Sequence, residues 1–123
     1  MAKILVIDDD PECVALLQIA FEKTGHTVFS TSDGMSGLKK ACEEFFDLII
    51  TDVLMPEKDG LELMLELRRH KPDVKVIAIS GGGVLHAEDC LKMAKVFGAQ
   101  QVMRKPFDIN RMLQVAQEMI SAA

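Results

Sequence analysis

Five side chains could act together on a phosphoryl group, and each closely follows an apolar run. Asp8 and Asp9 follow Ile4-Leu5-Val6-Ile7, and Asp52 follows Leu48-Ile49-Ile50-Thr51. Ser80 follows Val76-Ile77-Ala78-Ile79, and Lys105 follows Gln101-Val102-Met103-Arg104. Two bare carboxylates about 4 Å apart repel by roughly 1–4 kcal/mol, depending on effective dielectric. Three together strongly raise one pKa or recruit a cation. Hard oxygen ligands with room for water suit Mg²⁺, with Mn²⁺ as a substitute. A carboxylate beside such an ion can attack phosphorus as a nucleophile, and the product is an aspartyl phosphate. The ion and the Lys105 ammonium would spread the charge on the equatorial oxygens. Ser80 can donate its hydroxyl to one of them. Pro106 restricts the residue before it and permits a cis bond that aims Lys105 inward. Taken singly, each residue has a bland reading: capping acids at a helix start, a turn serine, a surface lysine. The joint placement carries the argument.

The elements that must hold these residues alternate from end to end. Continuous apolar runs at residues 4–7, 48–51 and 74–79 read as strands buried on both faces, with weaker ones at 27–31 and 101–104. Helical spacing falls between them. Val14, Leu17 and Phe21 form one stripe, and Met35, Leu38, Cys42 and Phe45 a second. Leu61, Met64, Leu65 and Leu67 form a third, Leu91, Ala94 and Phe97 a fourth. Ile109, Met112, Leu113, Ala116 and Ile120 form the fifth and cleanest. Asp10-Pro11 reads as an N-cap with Pro at the first helical position, and Asp108 caps the last helix. Gly25 and Gly98 stand where helices should end. Five βα units in one chain imply an α/β domain spanning residues 1–123, with a doubly wound five-stranded parallel sheet and helices on both faces. Spacing does not carry strand order. The common order for five strands is 2-1-3-4-5, which puts the ligand crevice beyond the carboxyl ends of strands 1 and 3. Asp8, Asp9, Asp52, Ser80 and Lys105 all fall on that rim.

Composition narrows the class. The chain has 123 residues, suited to one domain, with 49% apolar and 27% charged residues. Lys plus Arg is 14 against 19 for Asp plus Glu, a net charge of −5. An electrostatic nucleic-acid binder needs a basic face, so direct nucleic-acid binding is not expected. No apolar run approaches the roughly 18 residues of a membrane span, and the start lacks a signal-peptide pattern. Cys13, Cys42 and Cys90 are odd in number and widely spaced, which reads as reduced thiols in a cytoplasmic protein.

With these residues in view, the chain resembles a receiver domain of the response-regulator family, the phosphoacceptor half of two-component signalling. The resemblance rests on Ile4-Leu5-Val6-Ile7-Asp8-Asp9, on Asp47-Leu48-Ile49-Ile50-Thr51-Asp52 with Met55-Pro56 and Asp59-Gly60, on Val76-Ile77-Ala78-Ile79-Ser80, and on Lys105-Pro106-Phe107. It implies a flavodoxin-like topology with five helices. It implies that Asp52 takes a phosphoryl group from a histidine kinase or phosphotransfer protein. Asp8, Asp9, Asp52 and the backbone carbonyl of Leu54 would hold Mg²⁺, directly or through water, while Ser80 and Lys105 contact the phosphoryl group. The output would be a contact with a downstream protein target, made by a monomer or weak homodimer. The chain stops just after the fifth helical stripe, so no output domain is expected in it.

Some positions depart from the family pattern. Many receivers carry Tyr or Phe three residues before the lysine, where Val102 stands, so a switch would run through Ser80 and the glycine-rich Gly81-Gly82-Gly83 loop, with Val102 a strand residue at the usual switch position. Leu54 and Gly82 occupy places that often carry polar side chains near the hydrolytic water, which predicts slow self-dephosphorylation. Lys92, Lys95, Arg104 and Arg111 lie in the stretch that commonly meets partners and could form a basic patch. His26, His70 and His86 are read as neither ligands nor phosphodonors. Three rivals compete. A Mg-dependent phosphatase of the haloacid dehalogenase type would use the D-x-D in Asp8-Asp9-Asp10 but leaves Asp52 unexplained. A flavodoxin-type nucleotide carrier would meet three acids where phosphate should bind. A receiver-like interaction module acting without phosphorylation would not need the intact acid, hydroxyl and lysine set.

Overall fold

The computed structural model describes residues 1–53, 60–80, 92 and 94–122. Leu54, Met55, Pro56, Asp59, Gly81–Gly83, His86, Cys90 and Leu91, and the side chain of Leu61, lie outside the described residues. The strands are β1 (Lys3–Ile7), β2 (Thr27–Thr31), β3 (Leu48–Asp52), β4 (Val76–Ser80) and β5 (Gln101–Arg104). The helices are α1 (Pro11–Lys23), α2 (Gly34–Glu43), α3 (Gly60–His70), α4 (described at 92 and 94–96) and α5 (Ile109–Ser121). The strands pair in parallel in the order β2-β1-β3-β4-β5.

Alternation along each strand divides the core in two. Ile4, Val6, Leu48, Ile50, Ile77 and Ile79 face α1 and α5, where Leu17, Phe21, Met112 and Ala116 meet them. Leu5, Ile7, Ile49, Val76 and Ala78 face the other way, toward Ala41 of α2, Leu63, Met64 and Leu67 of α3, and Ala94 of α4. Each of these side chains larger than alanine contributes about 1.5–3 kcal/mol when withdrawn from water, so reversing a strand's faces is heavily disfavoured.

Local chemistry sets the helix ends. Asp10 accepts from the Glu12 amide at 3.0 Å with Pro11 at the first turn, and Asp108 does the same for Asn110 at 2.9 Å. Such caps contribute about 1 kcal/mol each. Gly25 and Gly98 have φ of +92° and +114°, the left-handed conformation that ends α1 and α4.

The spacing of Met35, Leu38, Cys42 and Phe45 predicts a different α2 face from the one observed. Met35, Cys42 and Phe45 are exposed, whereas Gly34, Gly37 and Ala41 are buried. The cause is close approach to the sheet: a Cβ on Gly37 would fall 2.5–2.9 Å from the Ile7 side chain. In α3, Leu65 is exposed, and Leu63, Met64 and Leu67 form the buried stripe.

Candidate functional site

The ladder continues past the strand ends and fixes the residues beyond them. The Asp8 amide donates to the Thr31 carbonyl at 3.1 Å, the Val53 amide to the Ile79 carbonyl at 2.9 Å, and the Lys105 amide to the Ser80 carbonyl at 2.8 Å. Asp52 and Ser80 are the last residues of β3 and β4. The Lys105–Pro106 bond is cis.

These backbone constraints gather the predicted acids on one rim. Asp8, Asp9 and Asp52 each offer a carboxylate oxygen, and the three oxygens lie within 4.8 Å of one another. Asp8 is 1% exposed and Asp52 3%, while Asp9 is open to solvent. Asp8 Oδ1 accepts from the Asp10 amide at 3.0 Å. Lys105 Nζ donates to Asp52 Oδ2 at 3.0 Å. It also lies 2.7 Å from Asp8 Oδ2, a charge contact whose angle falls outside hydrogen-bond geometry. Ser80 Oγ is fully buried and has no hydrogen-bond partner among the described residues.

Electrostatics follow from burial. Desolvation pulls the Lys105 ammonium pKa down, but the close Asp8 and Asp52 carboxylates outweigh it, so the net shift is upward. Lys105 is therefore charged throughout the neutral range. Cys13, in the first turn of α1, was not legible as part of this neighbourhood. Burial, then the nearby Asp8, pushes its thiol up to about 12, so it stays protonated and unreactive at neutral pH.

The donor set fits a hard divalent cation. It has three oxygen ligands of like charge, one of them solvent-facing, and two of them, Asp8 and Asp52, lie beside the Lys105 ammonium. A buried hydroxyl without a partner costs about 1–3 kcal/mol, and an incoming oxyanion would satisfy it. The Leu54 carbonyl, the fourth ligand implied by the resemblance, lies outside the described residues.

Residues 4–117 match the response regulator receiver domain family. This chain belongs to that family. Receiver domains are signalling domains of two-component systems rather than enzymes that turn over metabolites. They interact with histidine kinases and downstream effectors and typically bind Mg²⁺ at an acidic pocket. The chain is 39% identical over 106 residues to the alkaline phosphatase synthesis transcriptional regulatory protein PhoP of Bacillus subtilis, covering 85% of this chain and 42% of that protein. It is 32% identical over 126 residues to the response regulator receiver protein CpdR of Brucella abortus, covering all of both. Thus it spans under half of PhoP but the whole length of CpdR. The receiver domain of NtrX from Brucella abortus superposes with a TM-score of 0.89 at 27% identity, over 98% of this chain and 99% of that one. The predicted fold and strand order are those of the receiver domain.

The other predicted residues are placed as follows. Lys92, Lys95, Arg104 and Arg111 are all exposed. Val102 is half-buried and packs on the core shared with α2, α3 and α4. His26 accepts from the Ala2 amide at 2.9 Å through Nδ1, a structural role at the start of β1. His70 lies 3.5 Å from Glu66 one helical turn away. Among the described residues, no helix is long and apolar enough to cross a membrane.

Proposed function

We propose that this domain is a cytoplasmic, phosphorylation-controlled switch in which Asp52 accepts a phosphoryl group from a histidine kinase or phosphotransfer protein. The observation that carries the reading is the Lys105 ammonium bridging Asp8 and Asp52 while Asp9 completes a three-carboxylate nest. An oxygen of Asp52 attacks the phosphorus of a phosphohistidine. The new P–O bond forms as the P–N bond breaks, and the electron pair leaves on the imidazole nitrogen. Lys105 holds positive charge beside the developing equatorial oxygens, and the Ser80 hydroxyl donates to one of them. Asp8 keeps Lys105 aimed at Asp52, and Asp8, Asp9 and Asp52 would hold Mg²⁺ or Mn²⁺, directly or through water, with Leu54 as the carbonyl ligand. When bound, the ion supplies Lewis-acid neutralisation of the transferring group. Filling the pocket then shifts a conformational equilibrium through Ser80 and the β5 position of Val102. A basic face of Lys92, Lys95, Arg104 and Arg111 would meet the downstream protein.

The alternative of an interaction module that works without phosphate is disfavoured by the buried Ser80 hydroxyl, which has no partner among the described residues and which such a module would have no reason to bury. A small phosphatase is disfavoured because Asp10 is engaged as the α1 cap rather than aimed at Asp8. Intact-mass measurement after incubation with acetyl phosphate tests the proposal. One added phosphoryl group is expected, dependent on Mg²⁺. Labelling that persists in a chelator would count against the mechanism.

A further inference from the structure

The proposed chemistry needs the Lys105 ammonium at the acids, and Lys105 follows the shortest strand of the sheet. β5 has four residues, lies at the sheet edge and buries little. Val102 and Met103 are each only partly buried, against opposite faces of the sheet. A one-residue slip against β4 would exchange those faces and redirect the chain that delivers Lys105. Apolar burial is too small here to exclude such a slip by itself.

A polar clamp sits at the amino end of the strand. Gln100, the residue before β5, bonds three times to the entry of β4. Its amide donates to the Val76 carbonyl at 3.1 Å, its Nε2 to the Val74 carbonyl at 3.2 Å, and its Oε1 accepts from the Val76 amide at 2.7 Å. Arg68, from α3, donates to the carbonyls of Pro72 at 2.5 Å, Val74 at 3.5 Å and Gly98. The Val74 carbonyl is therefore shared by both side chains. Gly98 closes α4, with its amide on the Lys95 carbonyl at 3.1 Å and the Ala99 amide on the Ala94 carbonyl at 2.9 Å. A Cβ at Gly98 would lie 2.9 Å from the guanidinium carbon, so the glycine leaves the space that Arg68 fills.

We infer that Arg68 and Gln100 are positioning residues for Lys105: they lock the register of β5 against β4 and so deliver the ammonium to Asp8 and Asp52. Two hydrogen bonds from the Gln100 amide group fix one residue of the register, and the guanidinium fixes the turn that enters it. The Lys105 amide bond to the Ser80 carbonyl closes the opposite end. The inference rests on the proposed function for its consequence, though its geometry stands without it.

The test uses the full chain labelled with ¹⁵N-lysine, with Lys105→Met to assign the Lys105 ammonium resonance. The variants are Gln100→Leu, Arg68→Met and the pair. A register role predicts that amide exchange in α1 is unchanged while the Lys105 ammonium signal loses its protection. Mg²⁺-dependent acceptance from acetyl phosphate falls about tenfold in the pair. Gln100→Glu, which keeps the oxygen that accepts from Val76 but loses the donor to the Val74 carbonyl, falls between the original and Gln100→Leu in both readouts. Folded variants whose Lys105 signal and rate stay within about twofold of the original overturn the inference. If the pair does not fold, Gln100→Leu, a change at an exposed side chain, decides by the same two readouts. If the unaltered chain accepts no phosphoryl group, the proposed function fails, and the Lys105 signal still judges the register.

Discussion

The two rims of the sheet both carry clustered charge, and they treat it in opposite ways. At the amino rim, Lys3 and Lys40 both pair with Glu44. The Lys3 amide donates to Asp47 at 2.8 Å, and the Lys3 ammonium lies 4.9 Å from the Phe46 ring centre. Two amines serve one carboxylate there, and water reaches all three. The hydrogen bond from Lys3, then that from Lys40, lowers the Glu44 pKa. At the carboxyl rim, three carboxylates cluster, the two buried ones pair with the Lys105 ammonium, and among the described residues the buried Ser80 hydroxyl lacks a partner. In the first arrangement the charged side chains pair with one another or with backbone. Among the described residues, the second sets three acids around the Lys105 ammonium and leaves the Ser80 hydroxyl without a partner, an arrangement that a divalent ion and an oxyanion would complement. Charge by itself therefore does not mark a functional rim. Burial combined with incomplete satisfaction does.

The largest effect expected from breaking this contrast is at Lys105. Lys105→Met should slow phosphoryl acceptance by about a hundredfold or more in single-turnover assays. It should also lower thermal stability, because two buried carboxylates are left facing each other. Mg²⁺ should then raise the melting temperature of this variant more than that of the original chain, as read by calorimetry with and without chelator. An equal Mg²⁺ response would separate the ammonium from the ion site. The ion pair has a pH signature as well. The Lys105 pKa is raised, so its contribution is complete below the ordinary value of 10.5 and is lost as pH rises through the folded value. Alkaline melts above about pH 10.5 should therefore destabilise the original chain more than Lys105→Met.

Leu54→Asn should accelerate loss of the phosphoryl group several-fold, roughly 1 kcal/mol of barrier, by placing a polar side chain near the hydrolytic water. Timed intact-mass spectra after removal of the donor measure it, and an unchanged lifetime would contradict the reading of Leu54.

The amino rim supplies the smaller effects. Glu44→Gln should leave phosphoryl acceptance unchanged and shift the melting temperature by no more than about 3 °C, since exposed ion pairs contribute little. A defect in acceptance would erase the distinction between the rims. His26 gives this rim a mild acid sensitivity. Burial, then the nearby amino terminus, lowers its pKa below the ordinary 6.5, so the fold favours the neutral ring that accepts from the Ala2 amide. That contribution is present above pH 6.5 and fades as pH falls through the folded value. Between pH 7 and pH 5, the melting temperature of the original chain should fall more than that of His26→Gln.

The same contrast explains which parts of the molecule were legible in the sequence. Parallel strands covered on both faces leave continuous apolar runs, so β1, β3 and β4 were plain, and a polar residue after each run marked the carboxyl rim. Asp8, Asp52 and Ser80 were legible for that reason, and Lys105 by the Pro106 that follows it. The buried face of α2 was not, because the buried Gly34 and Gly37 carry no apolar side chain and Gly37 lies against Ile7. Phe45 misled because it completes the helical spacing but falls past the helix end. The contact of Lys105 with Asp8 as well as Asp52, and the clamp by Arg68 and Gln100, left no pattern. Both depend on which carbonyl or carboxylate the fold brings within reach, and periodicity does not carry that.

The most direct test of the central claim is to locate the modified residue. Borohydride converts an aspartyl phosphate to homoserine, so the chain would be incubated with acetyl phosphate and Mg²⁺, reduced, digested and mapped by mass spectrometry. Homoserine at position 52, absent in Asp52→Asn and absent when Mg²⁺ is chelated, is the expected result. Homoserine at position 8 or 9 with residue 52 untouched would contradict the account.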